Sequence, residues 1–184
     1  MPECLDAVRQ ILAAARFAAE RHAAQRRKGP SAEPYVNHLL EVAELLARTA
    51  DHLDTNLIVA ALLHDTIEDT GVTREEIAAL FGDDVAALVA EVTDDKSLPK
   101  ETRKALQIEN AAKKSPRAQA LSAADKTANV RSIATSPPTN WSFERRVQYV
   151  RWAGEVVRRY CDLDSRLAAE FKQASDEVAD RLHG

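Results

Sequence analysis

The sequence predicts an all-α fold, a single bundle of about eight to ten helices formed by residues 1–184. Two observations support this prediction. The chain has only 5 Gly and 7 Pro among 184 residues, and the abundance of Ala, Leu, Glu, Arg and Lys favours helix. Apolar residues recur at helical spacing along the chain, whereas the alternation typical of strands is hard to find. The length suits one domain with a buried core.

Two helices are predicted on either side of a loop near the start of the chain. The first runs from about residue 5 to residue 26. It carries an apolar stripe of the kind that a surface helix buries, made of Leu5, Val8, Ile11, Leu12 and Ala15. The loop KGPSAEP follows, rich in Gly, Pro and Ser, and the second helix surrounds His38.

The third predicted helix is the most apolar segment of the sequence. It begins at a capping residue, Asp54 or Thr55, and continues through LIVAALLHDTIEDT to a stop near Gly71. Thr73 followed by Glu76 resembles a capping box, which predicts the start of a short helix directly afterwards.

The remaining predicted helices are separated by short breaks rich in Pro, Ser and Asp. A helix over about 83–92 ends at TDDKSLP, and a charged helix follows over about 100–114. Pro116 opens the next helix, since proline is well suited to the first helical turn. After the break SPPTN, two helices cover about 143–161 and 163–182.

The composition excludes several classes of protein. A net charge of −4 argues against a general nucleic-acid binder, although Arg26-Arg27-Lys28 is a tight basic cluster. No apolar run approaches the roughly 20 residues that cross a bilayer, and the N-terminus lacks a signal-peptide pattern. Two isolated cysteines, Cys4 and Cys161, indicate no disulfide framework and favour a cytoplasmic protein. The oligomeric state is left open.

The most informative segment for function is HDTIED at residues 64–69, directly after the apolar run LIVAALL. Ionisable groups at the end of a buried helix are costly unless they are paired or bind a metal. On a continuous helix His64 and Glu68 share one face, and Asp65 and Asp69 share the neighbouring one. The four side chains are therefore expected to form one polar patch. Imidazole with carboxylate suits a divalent metal such as Mn, Fe or Zn.

One helix cannot complete such a metal shell, and two further ligands are predicted elsewhere. His38 lies on the expected inward side of the second helix, and Asp125 lies in the largely apolar segment ALSAADKTANV. With His64 and Asp65 they form a set of two histidines and two carboxylates, which leaves positions for water as in a catalytic site. For His64-Asp65 alone, or His38 alone, a structural role would be the better interpretation. The other histidines have no such partners and are expected at the surface: His22, His52 and His183.

The order His, then His-Asp, then Asp resembles the signature of the HD-domain phosphohydrolases. HDTIED is closer still to the HDxxED form of the hydrolase domains of RelA/SpoT homologues. RRKGPSAEPYVNH, EVTDDKSLPK, ADKTANVR and WSFERRVQYVRW resemble segments of the small stand-alone alarmone hydrolases. The resemblance extends from about residue 10 to residue 160. It implies an HD-domain helical bundle that hydrolyses the 3′ pyrophosphate of guanosine 3′,5′-bispyrophosphate, or of its pentaphosphate, to GDP or GTP and pyrophosphate.

The resemblance also implies a role for each candidate residue. One Mn²⁺ per chain would be held by His38, His64, Asp65 and Asp125. Glu68 and Asp69 would align the attacking water and accept its proton. A substrate with four phosphoryl groups needs several cationic and polar contacts, and those implied are Arg27, Lys28, Tyr35, Lys96, Asn129, Arg145 and Tyr149.

Two positions depart from the family pattern. Leu39 follows His38 where Pro is common, and Thr127 stands in DKTAN where larger side chains are common, which would alter the shape of the pocket. Three alternatives are open. They are an HD phosphatase acting on another nucleotide with a 2′ or 3′ phosphate, such as NADPH, an HD domain that binds a nucleotide without turnover, and a helical scaffold without a small-molecule site. The complete ligand set and the Glu68–Asp69 pair favour the hydrolase.

Overall fold

The described part of the chain consists of helices and their connections, as the composition predicts. The computed structural model describes residues 2–161 and 163–183, apart from the side chains of residues 2, 3, 182 and 183. Within these residues there are ten α-helices and a short 3₁₀ helix, Ala111–Lys113. The α-helices are α1 (Pro2–Arg21), α2 (Val36–Thr49), α3 (Thr55–Leu63), α4 (Thr66–Thr70), α5 (Arg74–Phe81), α6 (Asp83–Val92), α7 (Lys100–Asn110), α8 (Pro116–Thr135), α9 (Phe143–Val157) and α10 (Ser165–His183). None of them combines the length and apolarity that a membrane-spanning helix needs.

The chain divides into two compact units. The first unit consists of Met1–Gln25 and Pro34–Lys96, and the second consists of Arg26–Glu33 and Ser97–Gly184. Residues 26–33 of the connection between α1 and α2 therefore belong to the second unit, while both helices belong to the first.

Helix α3 is the centre of the first unit. Ile58 to Leu63 are all buried, and the helix packs against α1, α2 and α6. A helix that is apolar on every side is stable only when it is surrounded in this way. Asp54 caps its start by accepting a hydrogen bond of 3.0 Å from the backbone N–H of Leu57, which satisfies one of the free donors of the first turn.

Helix α1 differs from its prediction in length and in the face that it buries. It ends at Arg21, not at residue 26, and the leucines and valine of the predicted stripe are exposed: Leu5 by 53%, Val8 by 46% and Leu12 by 63%. Ala14 and Ala18 are fully buried instead. Small side chains let α1 approach α3 closely, and this face lies opposite the larger apolar residues. The predicted buried stripe was therefore wrong.

The predicted continuous helix through HDTIEDT is interrupted. Helix α3 ends at Leu63 and α4 begins at Thr66. Two side chains bind carbonyl oxygens at the end of α3: the Thr66 hydroxyl donates to Leu63 at 2.6 Å, and His64 Nδ1 lies 2.8 Å from the oxygen of Ala61. Such bonds replace the missing helical partners, so the helix ends without Gly or Pro. Helix α4 stops at Gly71, with φ +75°, as predicted.

Helix α8 is the centre of the second unit. It starts as predicted with Pro116, and Ser115 caps it by accepting from the backbone N–H of Ala118 at 3.3 Å. It packs against α10 and α9, and its buried residues include Leu121, Ala124 and Val130. This helix carries both predicted site residues of the segment ADKTANV.

Three histidines outside the predicted ligand set were expected at the surface, and the structure differs among them. His22 is only 2% exposed, so the expected surface position was wrong. His52 is exposed, as expected. The side chain of His183 lies outside the described residues.

Candidate active site

Three predicted metal ligands come together in the first unit. His38 belongs to the first turn of α2, and His64 and Asp65 follow α3 directly. One donor atom from each lies within 4.8 Å of the other two. Nε2 of His64 is 3.1 Å and Nε2 of His38 is 3.8 Å from Oδ2 of Asp65. Both imidazoles are buried, so the point on which their nitrogen atoms converge lies inside the protein.

The break between α3 and α4 explains how adjacent residues can face the same point. Consecutive residues on a regular helix are separated by about 100°, which would direct His64 and Asp65 to different faces. Asp65 leaves the regular helix, with φ −97° and ψ −2°. Its carboxylate therefore turns towards the His64 ring. A continuous helix would place His64 and Asp65 on neighbouring faces. The break instead brings their side chains to the same point.

Contacts around the three donors fix their protonation and orientation. Because Nδ1 of His64 lies 2.8 Å from the carbonyl oxygen of Ala61, Nδ1 carries the hydrogen and Nε2 keeps its lone pair. This arrangement is common around metal-binding histidines. The Tyr35 hydroxyl donates a hydrogen bond of 2.6 Å to Oδ2 of Asp65. Two imidazole nitrogens and a carboxylate, oriented in this way, fit a divalent metal ion.

The two carboxylates predicted to act on water lie next to this group. Oδ1 of Asp69 accepts a short hydrogen bond from Lys96, and Oδ2 accepts one of 2.8 Å from Nε2 of Gln25. Glu68 is 3.6 Å from the Lys96 ammonium. Burial, followed by the negative charge of Asp65, raises the pKa of Glu68 despite the opposing effect of Lys96. A carboxylate with a raised pKa is a better proton acceptor in water attack than an ordinary one.

Lys96 lies against the carboxylates of Glu68 and Asp69. Burial lowers its pKa, but the hydrogen bonds and charges of Asp69 and Glu68 outweigh burial, so the pKa is raised. The ammonium therefore stays charged and holds the two carboxylates. Its contact with substrate phosphate stays a prediction.

Asp125, the fourth predicted ligand, lies in the second unit with two predicted substrate residues. Nδ2 of Asn129 donates to Oδ1 of Asp125 at 2.6 Å, and Nη2 of Arg27 donates to Oδ1 of Asn129 at 3.1 Å. A carboxylate only accepts and a guanidinium only donates, so a single orientation of the Asn129 amide satisfies both. The buried Lys126 places its ammonium 3.7 Å from Oδ2 of Asp125, and this lysine was not among the predicted site residues.

Lys28, Arg145 and Tyr149 belong to the same unit. A pocket of about 300 Å³ is lined by Lys100, Glu101, Lys104, Trp141, Ser142, Glu144, Arg145, Gln148 and Tyr149. The Arg145 guanidinium lies over the Trp141 ring at 4.5 Å, a cation–π contact that holds the arginine at the pocket.

Lys100 and Lys104 line the same pocket and were not among the predicted site residues. Burial, followed by the charges of Arg145 and Lys104, lowers the pKa of Lys100, and Lys28 adds to this effect. Several cations close enough to disfavour one another form a ready site for an anion. Lys100 and Lys104 stand at i and i+4, so their spacing on a predicted helix was the available signal.

The two departures from the family pattern face the protein interior. Leu39 is fully buried and lies among the core residues of α2. Thr127 is also fully buried, and its hydroxyl donates to the carbonyl oxygen of Ala123 at 2.8 Å. Neither residue lines the described pocket.

An all-α fold that directs two histidines and an aspartate to one point, beside a carboxylate pair, is typical of metal-dependent hydrolases. The model of the HD domain family matches residues 14–153, and the chain belongs to this family. A Drosophila melanogaster protein named guanosine-3′,5′-bis(diphosphate) 3′-pyrophosphohydrolase is 49% identical over 161 residues, covering 85% of this chain and 90% of the relative. A Xenopus tropicalis protein of the same name is 51% identical over 148 residues, covering 80% of this chain and 83% of the relative.

A solved structure supports the same assignment. It is that of a metazoan ortholog of SpoT, described as hydrolysing ppGpp. It superimposes with a TM-score of 0.87 and 44% sequence identity, and the match covers 91% of this chain and 94% of that one. The predicted HD-domain helical fold is confirmed.

Proposed function

We propose that this protein hydrolyses the 3′ pyrophosphate of guanosine 3′,5′-bispyrophosphate or its pentaphosphate, releasing pyrophosphate with GDP or GTP. The observation that carries the proposal is the convergence of His38, His64 and Asp65 within 4.8 Å beside Glu68 and Asp69. Relatives of this chain with about half of their residues identical have that activity in their names. The guanine specificity rests on these relatives. A cytoplasmic location, expected from the isolated cysteines, is part of the proposal.

The proposed metal is one Mn²⁺ per chain, held by His38, His64 and Asp65, with Asp125 as the fourth ligand. The first three are supported by their convergence, and Asp125 by the resemblance to the family. When bound, such an ion supplies Lewis-acid polarisation of a phosphoryl oxygen and lowers the pKa of water.

The chain's own residues provide the remaining chemistry. Glu68, whose pKa is raised, accepts the proton of the attacking water. Asp69, held by Gln25 and Lys96, orients that water. The water oxygen forms a bond to the phosphorus next to the ribose, the bond from this phosphorus to the ribose 3′ oxygen breaks, and the 3′ oxygen takes up a proton.

Binding of the phosphates is assigned to the cationic residues of the second unit. Lys28, Lys100, Lys104 and Arg145 share one electrostatic environment, and Arg27 is held by Asn129. Charge-assisted hydrogen bonds from such groups to phosphate are the strong ones. Tyr149 and Trp141, in van der Waals range of each other with ring centroids 5.5 Å apart, offer aromatic surface for the nucleoside.

The test is Mn²⁺-dependent turnover of guanosine 3′,5′-bispyrophosphate, followed by anion exchange, beside NADPH as a competing substrate. We expect GDP and pyrophosphate from the wild type, and no product from His64→Ala or Glu68→Gln. His52→Ala is the matched control, because His52 is an exposed histidine. Activity on NADPH alone would indicate a phosphatase of 2′-phosphorylated nucleotides. Binding of the bispyrophosphate without turnover would indicate a nucleotide-binding domain that is not an enzyme.

A further inference from the structure

His22 is a buried histidine that the proposed mechanism does not use. It lies just beyond α1 and is 2% exposed. It was not predicted to belong to the site. Nδ1 lies 2.6 Å from Oε1 of Gln25. Nε2 is buried and has no hydrogen-bond partner among the described residues. Burying an imidazole with one nitrogen unsatisfied costs free energy, so a position with only a packing role would favour an apolar side chain.

The bond to Gln25 connects His22 to the proposed catalytic carboxylate. Nε2 of Gln25 donates to Oδ2 of Asp69 at 2.8 Å. Because a carboxylate only accepts, this contact fixes the orientation of the Gln25 amide, and its oxygen must face His22. Nδ1 of His22 therefore carries the hydrogen. The result is a directed chain of hydrogen bonds from His22 through Gln25 to Asp69.

A ring contact connects His22 to the proposed metal ligands. The imidazole stacks on Tyr35, with centroids 5.1 Å apart and an interplanar angle of 23°. Tyr35 donates to Asp65 at 2.6 Å and packs edge-on against His38 with centroids 5.6 Å apart. The stacked ring restricts the tilt of Tyr35, and with it the position of the hydroxyl that holds Asp65.

We propose that His22 is a positioning residue of the hydrolytic site, which orients Asp69 through Gln25 and Asp65 through Tyr35. The proposal rests on the proposed function only for its effect on turnover. His22 touches neither the three convergent donors nor the carboxylate pair in the described contacts. It acts through two other side chains, as outer residues of metal sites do.

Three variants of His22 test its links to Gln25 and to Tyr35. His22→Phe keeps a ring to stack on Tyr35 but loses the N–H. It should lower kcat about tenfold, leaving KM and the Mn²⁺ Kd within about twofold of wild type. His22→Ala loses both links and should also raise the Mn²⁺ Kd several-fold. His22→Asn, whose side-chain amide can replace Nδ1 as donor, should recover most of the kcat lost in His22→Phe.

Gln25→Leu provides the second route to the same result. Gln25 is half-buried, so this change should not disturb folding. It should lower kcat as His22→Phe does, and the double variant should be no worse than either single one, because both remove one chain of bonds. His52→Phe is the matched control and should behave as wild type.

The nitrogen shifts of His22 in histidine-labelled, metal-free protein test the chain of bonds without turnover. We expect the Nδ1-protonated tautomer in the wild type and its loss in Gln25→Leu. A wild-type kcat in His22→Phe, or equal Mn²⁺ Kd values for His22→Phe and His22→Ala, would overturn the proposal. Absence of turnover in the wild type would instead overturn the proposed function, while the tautomer and the Mn²⁺ Kd values would still decide the role of His22.

Discussion

The hydroxyl of Tyr35 donates a hydrogen bond of 2.6 Å to Oδ2 of Asp65, the same oxygen that faces both His38 and His64. The tyrosine therefore holds the carboxylate at the point where the two imidazoles meet. Partners of this kind keep a ligand in place before the metal arrives, which reduces the conformational entropy lost on binding.

Removal of this hydroxyl should weaken metal binding. For Tyr35→Phe we expect the Mn²⁺ Kd to rise about tenfold, the lower end of the range for outer partners of metal ligands. Isothermal titration of metal-free protein with Mn²⁺ measures the change. An unaltered Kd would mean that Asp65 is held by other contacts.

The raised pKa of Glu68 has a consequence for stability. Burial, and then the charge of Asp65, disfavour the ionised form, so the fold favours the protonated carboxyl. This favourable contribution is complete below the ordinary value of 4.5 and is lost as the pH rises through the higher pKa of the folded state. Glutamine imitates the protonated form, so Glu68→Gln should raise the Tm of metal-free protein at neutral pH while abolishing turnover.

The pH dependence makes this stability prediction specific. In a domain of this size about 1 kcal/mol corresponds to roughly 2–4 °C in Tm, and the gain should be of that order. It should shrink as the pH falls towards 4.5, where wild type and variant become alike. Differential scanning calorimetry across this range checks the prediction, and a lower Tm for Glu68→Gln at neutral pH would contradict it.

Lys96 should set the acidic limb of the activity profile. Its charge lowers the pKa of Glu68, so Lys96→Met should raise that pKa further. The base then stays protonated to a higher pH, and the acidic limb of kcat/KM should move upward in pH. Lys113→Met is the control, because Lys113 forms an exposed pair with Glu109 at 3.4 Å. Identical profiles for the two variants would be inconsistent with the assigned role of Lys96.

Gly29 should be required for the position of the basic cluster. A Cβ at this residue would lie 2.6 Å from the carbonyl oxygen of Ser136 and closer still to its hydroxyl. The backbone N–H of Thr139 donates to the carbonyl oxygen of Lys28 at 3.2 Å. Gly29→Ala must therefore displace the segment that carries Arg27 and Lys28.

The expected result for Gly29→Ala is a loss of substrate binding. We expect KM for the bispyrophosphate to rise about tenfold or more, since small displacements of positioning groups have large effects, and the Mn²⁺ Kd to stay near wild type. Steady-state kinetics beside Ser31→Ala, a change at an exposed residue of the same loop, provides the measurement. A normal KM would show that the loop tolerates the displacement.

The proposed metal ligands His64 and Asp65 were predictable, because ionisable side chains at the end of a buried helix carry a free-energy cost that the sequence reveals. HDTIED follows a run of apolar residues that must be buried, and only pairing or a metal makes such a position acceptable. The break after Leu63 was not predictable, because it depends on the Thr66 hydroxyl and the His64 ring taking helical carbonyls. No Gly or Pro marks it.

Residues that act through tertiary contacts were harder to find. The sequence predicts a surface position for His22, because nothing near it in sequence suggests a partner, and its stacking on Tyr35 exists only in the folded chain. The face of α1 was misjudged for a similar reason, since close packing by Ala14 and Ala18 outweighed the larger apolar side chains. The helix starts were predictable from local residues. Thr73 caps α5 as predicted, and its hydroxyl accepts a hydrogen bond of 3.1 Å from the backbone N–H of Glu76.

The most direct test of the central claim is the titration of metal-free protein with Mn²⁺ while pyrophosphate release from guanosine 3′,5′-bispyrophosphate is followed. Turnover should be absent at the start, rise with added Mn²⁺, and reach its plateau at one ion per chain, with no recovery in His38→Ala or His64→Ala. Full turnover by metal-free protein, or by these variants at the same Mn²⁺ concentration, would contradict the assignment of the metal-dependent site.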